Sequence, residues 1–203
     1  IFTCIPSSKD IRKLDVNLRI DYFGKYDPGF PGSMGYNWRK IFWHPDEEVA
    51  YGVHGNSGYL FRFSPHTQRI EIIERITSVP SRKCGMFDQF SYGYLGFQLG
   101  PDNKTIYYLT GGPIYMNGKR VNGEDKISKG GARGLENLHL VTYHLPTAKY
   151  QDHGPVFYED GGRPTFVNSI AVNTDGTIYM LARFEQDGKV IQDLVRIPNP
   201  FTR

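Results

Sequence analysis

The chain reads as an all-β protein, on three observations. Its 203 residues include 23 glycines and 13 prolines, which interrupt the sequence too often for helices of ordinary length. Between them Val, Ile, Tyr, Phe and Thr gather in short runs that alternate side to side with the period of a strand. The third observation is one pattern written more than once, strand, tight polar turn, strand, at "IFWHPDEEVAYGV" (41–53), "LGFQLGPDNKTIYYLT" (95–110) and "VNSIAVNTDGTIYMLARF" (167–184).

The first unit, 38–80, predicts four strands: "WRKIFWHP", then "DEEVAYGVHG" as a turn and second strand, "GYLFRFSPHT", and "QRIEIIERI". In the third strand Tyr59, Phe61 and Phe63 share one face and Leu60 and Arg62 the other, since successive Cβ atoms point to opposite sides. "SPHTQR" supplies a hairpin turn, with proline fixing φ and hydroxyls bonding locally.

The second unit, 90–160, begins with two strands around Pro101, Asp102 and Asn103, is interrupted by a polar insertion at 111–135, and resumes in "ENLHLVTYHLPTAKYQDHGPVFY". The third, 164–200, ends with "VIQDLVRIPNP" one strand short. The turn aspartates Asp46, Asp102 and Asp175 lie 56 and 73 residues apart, and the insertion accounts for the longer interval. Residues 1–37 are expected to add one or two strands and a linker.

Four-stranded meanders at this interval are the mark of a propeller blade. The "DGTIYM" hairpin within 170–183 and "YGVHGNSGYLFRFSPHTQRIE" (51–71) resemble blades of β-propeller proteins, including lactonase-like and polysaccharide-lyase-like propellers. The resemblance implies radial four-stranded antiparallel sheets, ligands at the channel mouth, and, with only three units present, a segment of a larger ring completed by another chain or a missing portion.

Composition bounds the function. The hydrophobic fraction is 39%, aromatic 14% and charged 22%, as in soluble globular proteins, and no apolar run is long enough to span a bilayer. The formal charge of +3 resides in one loop, where Lys119, Arg120, Lys126, Lys129 and Arg133 face Glu124 and Asp125. A broad basic face and a nucleic-acid module are both missing, so neither nucleic acid nor membrane is an expected partner. Cys4 and Cys84 permit one disulfide and match no zinc or redox spacing. The richness in Gly, Tyr and Asn and the non-Met start lean toward a secreted or periplasmic protein, while the sequon Asn103-Lys104-Thr105 is a tripeptide that arises easily by chance.

The resemblance places His54, Asn56, Arg39, Tyr92, Arg163, Asn168, Arg183 and the insertion with Arg133 on one rim. His54, in "VHGNSG", is suited to proton transfer near neutrality. With Tyr92 and Arg163 it forms the expected catalytic set. Arg39, Asn56, Arg133, Asn168 and Arg183 form the expected binding set, because guanidinium forks match carboxylate oxygens.

That combination suits abstraction of a proton α to a uronic carboxylate followed by β-elimination. The expected function is therefore action on an anionic poly- or oligosaccharide, as a lyase. A non-catalytic protein-binding module and a metal-dependent lactone hydrolase are the alternatives. No cofactor and no tightly held metal are expected: His139 and His144 point to opposite faces of a strand, and Asn168 lacks the acidic partners that the lactonase resemblance requires.

Overall fold

The computed structural model describes residues 38–54, 59–79, 96–110, 115–116, 119–120, 138–161, 164, 166–186 and 189–202. Among the described residues the architecture is all-β, with thirteen strands and a short 3-10 turn, Leu145–Thr147. Among the described residues no helix is long and apolar enough to cross a membrane.

The first sheet runs β1 (Trp38–His44), β2 (Val49–His54), β3 (Tyr59–Ser64) and β4 (Arg69–Arg75), each strand antiparallel to the next. The second contains β5 (Phe97–Leu99), β6 (Thr105–Thr110), β9 (His139–His144) and β10 (Lys149–Pro155) in the order β10-β9-β6-β5. Among the described residues the third consists of β11 (Phe166–Val172), β12 (Ile178–Gln186) and β13 (Lys189–Ile197). Between β6 and β9 the two-residue strands β7 (Tyr115–Met116) and β8 (Lys119–Arg120) pair with each other.

The hairpins share one backbone device. Glu48, Gln68, Asn103 and Ala148 close four of the turns with φ of 52° to 53°, and Gly176 closes the β11–β12 turn at 81°. Each of the first four follows a proline two or three positions earlier, Pro45, Pro65, Pro101 or Pro146. Proline presets the entry angle of the turn and the left-handed residue delivers the chain into the returning strand.

Alternation then determines which sheets meet. In β6 every residue is buried, and consecutive side chains go opposite ways. Ile106 and Tyr108 join Val49, Tyr51, Val53 and Leu60 in one core, against the first sheet. Tyr107 and Leu109 join Ile170, Ile178, Met180 and Ile197 in another, against the third. The second sheet is thus the middle layer, apolar on both faces, as a strand covered from both sides must be. An aromatic seam fastens it to the first sheet: Phe42 stacks on Tyr51 and Phe97 with centroids 5.7 and 5.2 Å apart, and Phe97 meets Tyr108 edge-on at 6.1 Å.

Polar clamps join the layers at their turns. Glu47 N–H donates to His44 Nδ1 at 3.2 Å, which leaves Nε2 to donate to the Asn103 carbonyl at 2.7 Å, from the β1–β2 turn to the β5–β6 turn. The buried segment leaving the first sheet is held by Tyr150, whose hydroxyl donates to Thr77 O at 2.6 Å, and by Asp152, which accepts from Val79 N–H at 2.7 Å.

The architecture corrects the expected propeller. The described strands form separate open sheets, the third of them three-stranded, and no ladder joins one sheet to another or closes a ring. The hairpin grammar at 41–53, 95–110 and 167–184 is local; closure depends on contacts between distant elements, on which strand alternation carries no information. The segmentation at 1–37 and 111–135 falls largely outside the described residues.

Candidate functional site

The residues expected to form the rim cannot be assembled into one site from the described side chains. Asn56, Tyr92, Arg133 and Arg163 lie outside the described residues. His54, Arg39, Asn168 and Arg183 lie on strands whose backbone alone is described at these positions. His54 pairs with Trp38 at the end of the β1–β2 ladder, Asn168 sits at the register shift of β11, and Arg183 lies between Phe166 and Gln192.

The buried titratable side chains within the described residues serve the fold. His139 Nδ1 contacts both Asp152 oxygens, at 2.9 and 3.0 Å, and Asp152 also accepts from the N–H groups of Val79 and Gly154 at 2.7 and 2.8 Å. An ionised carboxylate only accepts, so Nδ1 carries the proton. Burial opposes ionisation of Asp152, and the bonds from His139, Val79 and Gly154 together outweigh it, holding the carboxyl below its ordinary range.

Asp102 is likewise opposed by burial and held low by Thr105 and the Lys104 and Thr105 N–H groups. Tyr51 is pushed well above the ordinary tyrosine range, chiefly by burial and then by its bond to Glu47. Among the described residues no three of His, Cys, Asp and Glu converge on a metal position. The propeller and repeat architecture is corrected above, and among the described residues no metal or catalytic cluster supports the lyase or hydrolase chemistry read onto it.

What the described surface does offer is apolar. Cross-strand partners in an antiparallel ladder share a face. On the first sheet, away from the middle layer, Ile41, Gly52, Phe61 and Ile72 form one row and Trp43, Ala50, Phe63 and Ile70 the next. The β1 end of these rows leaves Ile41 60% and Trp43 52% exposed. On the outer face of the third sheet Leu181 stands opposite Leu194. These leucines are 48% and 70% exposed, and Tyr179, one row away beside Arg196, is 38% exposed.

A cleft of about 140 Å³ lies where the second and third sheets meet. β10 supplies His153 and Pro155, the following segment Val156 and Phe157, and β13 supplies Val195 and Arg196. His153 is engaged on both ring nitrogens, Nδ1 with Gln151 Nε2 at 3.5 Å and Nε2 with Thr142 Oγ1 at 2.8 Å, and its ring meets Phe201 edge-on at 5.2 Å. It contributes a ring wall to the cleft.

Reasoning from sequence missed Leu181, Leu194, Phe157 and Arg196. The available signal was in "DLVRIPNP", where leucine and arginine fall on the same side of a strand that closes an unfinished sheet.

No family model matches the chain, and no curated protein matches it. Among solved structures it is similar to a Bacteroides uniformis protein provisionally described as a 6-phosphogluconolactonase, at 11% identity and a TM-score of 0.40. The match covers 81% of this chain and 42% of that one, so the chain spans less than half the length of that protein.

Proposed function

We propose that this chain is a non-catalytic recognition module that binds a partner polypeptide through the outer face of its third sheet. The observation that supports the reading is the pair Leu181 and Leu194, directly opposite each other in the β12–β13 ladder and 48% and 70% exposed. Leaving two large aliphatic side chains in water forgoes roughly 1.5–3 kcal/mol each relative to burial. Contiguous apolar surface rimmed by polar groups, here Gln192 and Arg196, is characteristic of protein interaction sites.

A saccharide site favours polar groups converging in a cleft, whereas the Leu181–Leu194 surface is open and aliphatic. The buried carboxylates and imidazoles, tied into the fold by His139–Asp152 and His44–Asn103, act as fasteners for the sheets that carry this surface.

The experiment is site-specific photo-crosslinking, with a photo-reactive phenylalanine analogue in place of Tyr179 in cells that make the chain. A discrete protein adduct is expected. It should vanish when Leu181→Lys and Leu194→Lys are combined, and the same probe in place of Lys104, on an exposed turn, should not reproduce it. An adduct indistinguishable from that of the Lys104 probe, or conversion of a uronic-acid polymer to an unsaturated product by the purified chain, overturns the reading.

A further inference from the structure

Among the described residues the third sheet has three strands where the first two have four, and β13 is its outer strand. β13 pairs with β12 along its whole length, from Lys189 opposite Gln186 to Ile197 opposite Ile178, without a register shift. Among the described strands none lies on its other side. Nine strand residues extend about 30 Å, and the outward N–H and C=O groups of such an edge form a template for another strand.

The other two outer strands are guarded. β10 ends in a register shift between Asp152 and Pro155, with Gly154 at φ 91° and a proline that offers no donor. β4 carries Arg69, Glu71, Glu74 and Arg75, and the ladder beside it shifts between Leu60 and Phe61. β13 has neither a proline nor a bulge, and its most exposed large apolar side chain is Leu194.

The segment following β13, residues 198–202, turns elsewhere. Asn199 Nδ2 donates to the Asp175 carbonyl at 2.7 Å and Asn199 Oδ1 accepts from Phe201 N–H at 2.9 Å, which pins the segment to the β11–β12 turn. Pro198 and Pro200 within it also lack the donors that a paired strand needs.

We propose that the outer edge of β13 and the adjoining cleft bind an extended segment of a partner protein as a fourth strand. The inference rests on the reading of this chain as a protein-recognition module and specifies the chemistry of the ligand. Side chains of the added strand on the side of Val195 and Ile197 enter the cleft against Val156 and Phe157, so they are apolar. Side chains on the opposite side lie beside Leu194 and Arg196, and a carboxylate there meets the guanidinium. The ligand is an extended peptide alternating aliphatic and acidic residues, held by main-chain hydrogen bonds and selected by these contacts.

The probe is a capped, fluorescently labelled peptide alternating valine and glutamate, matched to β13 in length and titrated into the full chain. Hydrogen exchange is read across the strands with and without the peptide. The expected result is saturable binding that slows exchange in 189–197, with no binding by the same peptide N-methylated on alternate amides. Arg196→Glu should weaken affinity about tenfold.

Three outcomes overturn the inference: outward amides of β13 already slow to exchange in the free chain at every concentration or on self-association, equal affinity for the N-methylated peptide, or protection confined to β4 or β10. If no peptide binds while the adduct from position 179 persists, the edge assignment fails and the recognition reading stands. Loss of both removes the recognition reading itself.

Discussion

Asp152 faces His139 across the β9–β10 ladder at 2.9 Å and at the same time receives the N–H of Val79, 73 residues earlier in the chain. One carboxylate therefore ties the outer strand of the middle sheet to the segment leaving the first. Its side chain is 6% exposed, so its partners cannot be replaced by bulk water without local opening.

Asp152→Asn is expected to cost about 2–4 kcal/mol, because it leaves donors from His139, Val79 and Gly154 with a weaker, neutral acceptor. The pH dependence has a fixed sign. A carboxyl held below its ordinary value contributes fully above about pH 4, the unfolded range, and that contribution is lost as pH falls through the lower folded value. Denaturant unfolding between neutral pH and pH 2 should show this loss in the parent chain and a shallower slope in the variant.

Gly52→Ala tests the packing of the first sheet. A Cβ there collides with the Phe61 ring and comes within 2.9 Å of Ile41 Cγ2, so both cross-strand neighbours in the row must shift. The expected cost is about 1–3 kcal/mol in thermal or denaturant unfolding. A neutral result would mean that Phe61 does not cover the glycine.

The turn device predicts opposite effects at two positions. Ala148 holds φ 52°, and Ala148→Gly should stabilise the chain by about 0.5–1 kcal/mol by removing the left-handed penalty. Gly176→Ala should destabilise it by at least about 1 kcal/mol, since the added Cβ is strained at φ 81° and also meets Asn199, whose bond to Asp175 anchors the C-terminal segment.

Leu181→Lys with Leu194→Lys should leave unfolding free energy within about 0.5 kcal/mol of the parent while abolishing the adduct expected at position 179. A large loss of stability would place these leucines in the core of the chain.

The first sheet was legible because Tyr59, Phe61 and Phe63 alternate with Leu60 and Arg62 between two proline-bearing turns, so propensity, pattern and turn chemistry agree. The β11–β12 hairpin was legible for the same reason, since alternating runs flank the polar turn in "VNSIAVNTDGTIYMLARF". How the sheets associate was not: "TIYYLT" alternates between two apolar faces, and only their placement reveals that Ile106 looks toward the first sheet and Tyr107 toward the third. The side chains of the expected rim lie outside the described residues, while the exposure of Leu181 and Leu194 was not legible because leucines on a strand pass in sequence for ordinary core residues.

Hydroxyl-radical footprinting read by mass spectrometry tests the central claim, a double-sided middle sheet flanked by outer sheets that present apolar side chains to solvent. The account predicts fast modification at Trp43, Leu181 and Leu194 and slow modification at Phe97, Tyr107, Tyr108 and Met180. Protection of Trp43, Leu181 and Leu194 to the level of Tyr108 in the isolated chain would contradict it.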